Sequence, residues 1–293
     1  MKYLPSTLSV AAACLLSISL SAQTKPVDLY VGVVDAKGEP ASALQAADFQ
    51  VREDGTAREV LKAGEATEPL TVALLVDDSQ AMSPALQMVR EAVDGFIAAL
   101  AGKAEIAVTT FGDRPEILVD YTTDQKKLLN GAHRIFPRPG SGAYLMDALV
   151  EVSKGFQKRD AKRPVIVVLA MDNETEFSNR HYQEVLAAID KSRAPLHVIT
   201  LGMPNASLTD EMRNRNTVIA DGTARSGGRR DNVLALTGAA PRMKQLANEL
   251  LHQYVVTYAR PETLIPPDKI EVTVKNPALT VHARTRSAQA GAR

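Results

Sequence analysis

Apolar residues recur along this chain in two rhythms. The apolar run Thr71–Val76 reads as a buried strand, Pro164–Ala170 and Leu196–Leu201 read as further apolar strands, and Ala104–Phe111 as another strand. Ile117–Tyr121 reads as a further strand. Between the runs the spacing turns helical. One stripe holds Leu86, Val89, Val93, Phe96, Ile97 and Leu100, and another holds Leu145, Ala148, Leu149, Val152 and Phe156. Tyr182, Val185, Leu186 and Ile189 form a third, and Met243, Leu246, Leu250 and Leu251 a fourth. Ser83 and Pro84 are the expected N-cap and first position of the first helix. Strands alternating with helices in this way predict an α/β unit, doubly wound around a mainly parallel sheet, over residues 69–259. Tyr254–Tyr258 is expected to be its closing strand.

The two ends follow a different pattern. Val27–Val34 and Phe49–Arg52 are strand-like, punctuated by Lys37-Gly38-Glu39-Pro40 and Asp54-Gly55. Lys269–Val274 and Leu279–Ala283 alternate around Asn276-Pro277. So few strands are marginal alone, so the two ends are expected to pair as one small flanking β-module. The predicted division is a leader at 1–22, an N-terminal β-module at 23–68, the α/β unit at 69–259 and a C-terminal β-segment and tail at 260–293. Residues 203–231 break the rhythm. They are polar, contain Gly222, Gly227, Gly228, Arg225, Arg229 and Arg230, and read as a long mobile surface loop or a binding insertion.

The leader changes where the chain is expected to work. Lys2 precedes the apolar stretch Leu8–Leu20, and Ser19-Leu20-Ser21-Ala22 offers small residues for cleavage near Ala22. The chain is therefore predicted to be exported, periplasmic or secreted. Cys14, the single cysteine, gives the alternative of a lipid anchor. No later run is long and apolar enough to span a membrane. Lys2 is the one charged residue of the leader, so the remainder carries 33 bases against 34 acids. That balance does not suggest nucleic acid or an anionic membrane as partner.

Open α/β sheets place ligands at the carboxyl ends of their strands. Three segments fall there: Asp77-Asp78-Ser79-Gln80-Ala81, Ala143 to Asp147, and Asp172-Asn173. In order and spacing they resemble the von Willebrand factor type A domain with its metal-ion-dependent adhesion site. That site takes an Asp-x-Ser-x-Ser turn, a later Thr and a later Asp. The resemblance implies Asp77, Ser79 and Asp172 as ligands of Mg²⁺, or of Mn²⁺ or Ca²⁺, with Asp147 orienting the site loop. It departs at Ala81 and Ala143, where hydroxyls are expected, and at Asn173, where Gly is usual, so the site reads as degenerate. Asp78, Ser83, Ser141, Asn173, Glu174 and Glu176 supply further oxygens nearby, and Tyr144 an aromatic ring. The terminal patterns Val34-Asp35-Ala36-Lys37-Gly38, Glu53-Asp54-Gly55 and Gln253 to Tyr258 are similar to exported bacterial proteins of this family, of the acidobacterial type.

Catalytic signatures are absent. His133, His181, His197, His252 and His282 make no zinc-binding pair, and Gly140-Ser141-Gly142 is not a nucleophile elbow. Without Trp, a sugar-stacking platform is disfavoured. The expected function is non-catalytic protein binding or adhesion at the carboxyl end of the sheet, with or without metal. The alternatives are a structural envelope component acting through the β-module and a metal-assisted hydrolase using Asp77, Asp78 and Asp172.

Overall fold

The structure is a computed structural model that describes residues 24–204, 207–262 and 265–287. The predicted leader, Cys14 and the end of the tail lie outside the described residues. In chain order the first strands are β1 (Thr24–Val34), β2 (Phe49–Glu53), β3 (Thr56–Arg58), β4 (Val60–Glu65) and β5 (Leu70–Val76). Then come α1 (Leu86–Leu100), β6 (Ala104–Thr110), β7 (Glu116–Thr122), α2 (Gln125–Ala132), α3 (Leu145–Arg159) and β8 (Arg163–Met171). They are followed by α4 (Tyr182–Ser192), β9 (Leu196–Leu201), α5 (Asp210–Ser226), β10 (Arg230–Val233) and α6 (Ala239–Leu251). The chain closes with β11 (Tyr254–Pro261), β12 (Ile270–Val274) and β13 (Thr280–Ala283).

The central sheet has the order β10-β9-β8-β5-β6-β7. All its pairings are parallel except β6 with β7, where the edge strand runs back. Every residue of β5, β8 and β9 is buried, which is why these strands read as unbroken apolar runs. Alternate residues serve opposite faces. Val72, Leu74 and Val76 pack with α1, α2 and α6, whereas Ala73 and Leu75 pack with α3, α4 and α5. Helices cover both faces, as the alternating pattern predicts.

The ends of the chain do pair. One sheet has the order β13-β1-β11-β4 and a second the order β12-β2-β3. Leu29, Val31, Phe49, Val51, Val256, Tyr258 and Ile270 form the core between them. Inside it the Tyr258 hydroxyl donates to Glu53 Oε1 at 2.7 Å.

Three expectations need correction. β11 does not join the central sheet; it lies between β1 and β4, antiparallel to both. Residues 203–231 are not a long loop, because most of them form α5 and β10. The inner face of α5 mixes Met212, Val218 and Ile219 with Arg215, Gly222, Thr223 and Ser226, so its burial left little hydrophobic signal. Ser83 and Pro84 do not open α1 either. A 3₁₀ turn at Gln80–Ala85 precedes the helix, and Ser83 Oγ donates back to the Gln80 carbonyl instead of accepting from the helix.

Candidate functional site

The turn after β5 is assembled around two carboxylates that point opposite ways. Asp77 accepts from the backbone N–H of Ser79 at 2.8 Å and of Met171 at 2.9 Å, which ties the ends of β5 and β8 together. Burial pushes its carboxyl up to about 6, against the pull of those hydrogen bonds. Asp78 turns towards β6. It accepts from Gly112 N at 2.6 Å and from Arg138 Nε at 2.7 Å. A Cβ on Gly112 would lie 2.5 Å from the backbone of Asp78 and Ser79, so only glycine allows this approach.

Glu174 fills the space beside the turn. Its Oε2 accepts from Ser79 Oγ at 2.5 Å and from Ala81 N at 3.3 Å, while Oε1 accepts from Thr175 N. Ala143 is buried and joined to the next segment by backbone bonds, Ala143 N to the Thr175 carbonyl and Phe177 N to the Ala143 carbonyl, both at 2.8 Å. Glu176, in the loop between β8 and α4, bridges to Ala143 just before α3. Its Oε1 accepts from Ser178 N, and Ser178 Oγ accepts from Asp147 N. Burial raises the Glu176 carboxyl to about 7. Asp147 itself pairs with Arg180.

Asp172, at the end of β8, accepts from Asn232 Nδ2 at 2.6 Å. The backbone carbonyls of Asp172 and Glu174 both accept from one guanidinium, that of Arg215, at 3.1 and 2.8 Å. Arg215 comes from α5 and is 3% exposed. Burial lowers its pKa, while Glu176, Asp172, Asp77 and Glu174, in that order, work to keep it charged.

The structure thus brings Asp77, Ser79, Ala81, Ala143, Asp172 and Glu174 to one buried centre. Asp78 is turned away towards Arg138, Ser141 Oγ is held by the Arg138 carbonyl, and Ser83 and Asn173 are exposed. Arg215 and Asn232 were missed by the sequence reading. The spacing Met212, Arg215, Ile219, Gly222, Ser226 follows helical period and was the signal available for the arginine.

This donor set does not fit a divalent ion. Mg²⁺ requires six oxygens in near-ideal octahedral geometry. Here two expected hydroxyls are methyls, Ser79 Oγ is donating to Glu174, and the space bounded by Asp77, Ala143, Glu174 and Arg215 does not admit a water molecule. Among the described residues, no group of three or more His, Cys, Asp or Glu side chains is arranged to hold a metal.

Residues 72–174 match the family model of the von Willebrand factor type A domain, a family of adhesion and protein-interaction modules. The architecture is the type A α/β fold with extra antiparallel sheets built from the chain ends. A solved von Willebrand factor type A protein from Catenulispora acidiphila is 12% identical, with a TM-score of 0.50 over 85% of this chain and 75% of that one. Manganese-loaded TRAP protein of Plasmodium vivax is 17% identical, with a TM-score of 0.47 over 73% of this chain and 82% of that one. Proximal thread matrix protein 1 of the mussel byssus is 12% identical, with a TM-score of 0.48 over 64% of this chain. The alignment spans 50% of the mussel protein's length. No curated protein matches by sequence.

Proposed function

We propose that this chain is an exported, non-catalytic protein-binding module whose partner docks on the carboxyl edge of the central sheet. One observation carries the reading. Among the described residues, six of the eight exposed large apolar side chains, Ile117, Phe136, Phe177, Met203, Leu208 and Leu234, sit on strand ends or loops of that edge, and the other two, Leu61 and Ile265, lie in the terminal segments. Single exposed apolar residues are ordinary, but several on one edge mark an interaction surface. Phe177 packs its ring beside Tyr144, with centroids 6.1 Å apart, and its backbone N–H bonds the carbonyl of Ala143. The buried carboxylate centre is held by backbone N–H groups and arginines, which suits a rigid platform better than a reacting cleft. In this reading the α/β unit carries the binding face, the terminal strands, β11 included, brace it, and 1–22 direct export.

The test compares partner capture from envelope extracts by the wild type and by two variants. Phe177→Asp combined with Leu234→Asp is expected to lose the captured band at least tenfold, about 1.4 kcal/mol or more of binding. Leu61→Asp on β4, an exposed site in the terminal sheet, is expected to retain it. The reverse result would transfer the binding role to the β-module, as a structural envelope component requires.

A further inference from the structure

Four buried carboxylates lie around one buried guanidinium, that of Arg215, which hydrogen-bonds the backbone carbonyls of Asp172 and Glu174 and acts on the carboxylates through space. Asp77, Asp172, Glu174 and Glu176 are each at most 5% exposed. Charges taken this far from water are costly unless an opposite charge and hydrogen bonds compensate them. Asp77 has two backbone donors, Asp172 has Asn232, and Glu174 has Ser79, Ala81 and Thr175. Glu176 keeps one oxygen, Oε2, buried with no hydrogen-bond partner. Neutral donors orient these oxygens but do not cancel their charge. The positive charge that acts on all four is that of Arg215.

Its placement is built, not incidental. Thr209 caps α5 by accepting from Met212 N, which sets the helix register and puts Arg215 on the inner face. The planar fork then spans the Asp172 and Glu174 carbonyls, pinning the segment that carries three of the four carboxylates. Asn216 Oδ1 accepts from the Nε and Nη2 sides of the same guanidinium. The remaining space between Arg215, Asp77 and Glu174 is too tight for a water molecule.

We infer that Arg215 is the resident cation of this face: its guanidinium stands where the fold would otherwise need a divalent ion, so the centre is complete without metal. Two consequences follow. The chain takes up no divalent cation here, and deleting the guanidinium leaves buried carboxylates facing new space, which is the chemistry of a hard-cation site. The inference concerns the same edge as the proposed function, yet it is read from ion binding and stability of the chain alone. It therefore stands or falls separately from partner capture.

The experiment is calorimetric titration of the chelator-treated chain with Mn²⁺, Mg²⁺ and Ca²⁺, with melting curves in chelator and in Mn²⁺. For the wild type we expect no saturable one-site binding and the same melting temperature in both conditions. Arg215→Ala is expected to melt lower in chelator, to bind Mn²⁺ with a dissociation constant below about 1 mM, and to be restabilised by it. Arg215→Lys, which keeps the charge, should remain blind to the ions. One-site Mn²⁺ binding by the wild type that disappears in Asp77→Asn would overturn the inference. So would a folded Arg215→Ala that takes up no ion. If the single variant does not fold, Arg215→Ala with Glu176→Gln has one buried charge fewer and provides the host, while the wild-type titration decides the first consequence by itself.

Discussion

Two methyl groups, at Ala81 and Ala143, decide what the turn after β5 can do. Each occupies a position where the type A resemblance implies a hydroxyl, and the neighbouring Glu174 turns inward to take the N–H of Ala81 and the hydroxyl of Ser79. A second buried charged group lies on the opposite side of the molecule, where Glu249 on α6 meets His282 of β13, Arg229 and His197. Burial holds the His197 imidazole neutral down to about 4, whereas in the unfolded chain it protonates near 6.5. Between those values the unfolded state binds more protons, so stability falls as the pH is lowered through this window. Burial pushes Glu249 up, but the hydrogen bonds from His282 and Arg229 outweigh it, bringing its carboxyl to about 2. Its stabilisation is present above about pH 4.5 and is lost towards pH 2. Asp77 and Glu176 oppose this trend, because their raised carboxyls hold protons that the unfolded chain has already released. The expected outcome is that His197→Leu flattens the decline in urea midpoint between pH 6.5 and pH 4 relative to the wild type. A decline of unchanged slope would exclude His197 as its source.

Among the elements, α5 separates what a pattern shows from what packing requires. The strands β5, β6, β8 and β9 and the helices α1, α3, α4 and α6 are legible because their buried positions are mostly aliphatic and repeat at a fixed period. The buried face of α5 carries an arginine, a glycine, a threonine and a serine, each with a tertiary reason. Gly222 approaches Leu196, where a Cβ would stand 3.0 Å from Cδ2, and Ser226 Oγ accepts from Leu196 N at 2.8 Å. Hydrogen exchange is expected to protect amides 214–226 as strongly as those of α4, an outcome that a mobile loop could not produce. Ile219→Ala should cost about 3 kcal/mol in equilibrium unfolding, since the side chain is buried against α3 and β9. A loss below about 1 kcal/mol would contradict the packing described for this helix.

At the scale of the whole molecule, the two chain ends are held together by long-range pairing. β1 lies between β11 and β13, and β2 lies between β3 and β12. Ending the chain after Ala259 removes β12 and β13, uncovers a side of β1 and of β2, and exposes the core at Val31, Val51 and Tyr258. That truncation is expected to aggregate or to melt well below the full chain by calorimetry. Equal melting would show that the terminal sheets are dispensable. The sequence by itself determined the class of the central unit, the order of most of its strands and helices, the pairing of the terminal strands and that Asp77, Ser79 and Asp172 fall at the carboxyl edge. These depend on period and on chain order, which are local quantities. Only the tertiary structure decided that Tyr254–Pro261 leaves the central sheet, that Glu174 turns inward, and that a guanidinium from α5 closes the carboxylate centre. In each case the deciding partner lies dozens of residues away, and the choice follows from satisfying a buried polar group or a strand edge, which no local pattern records.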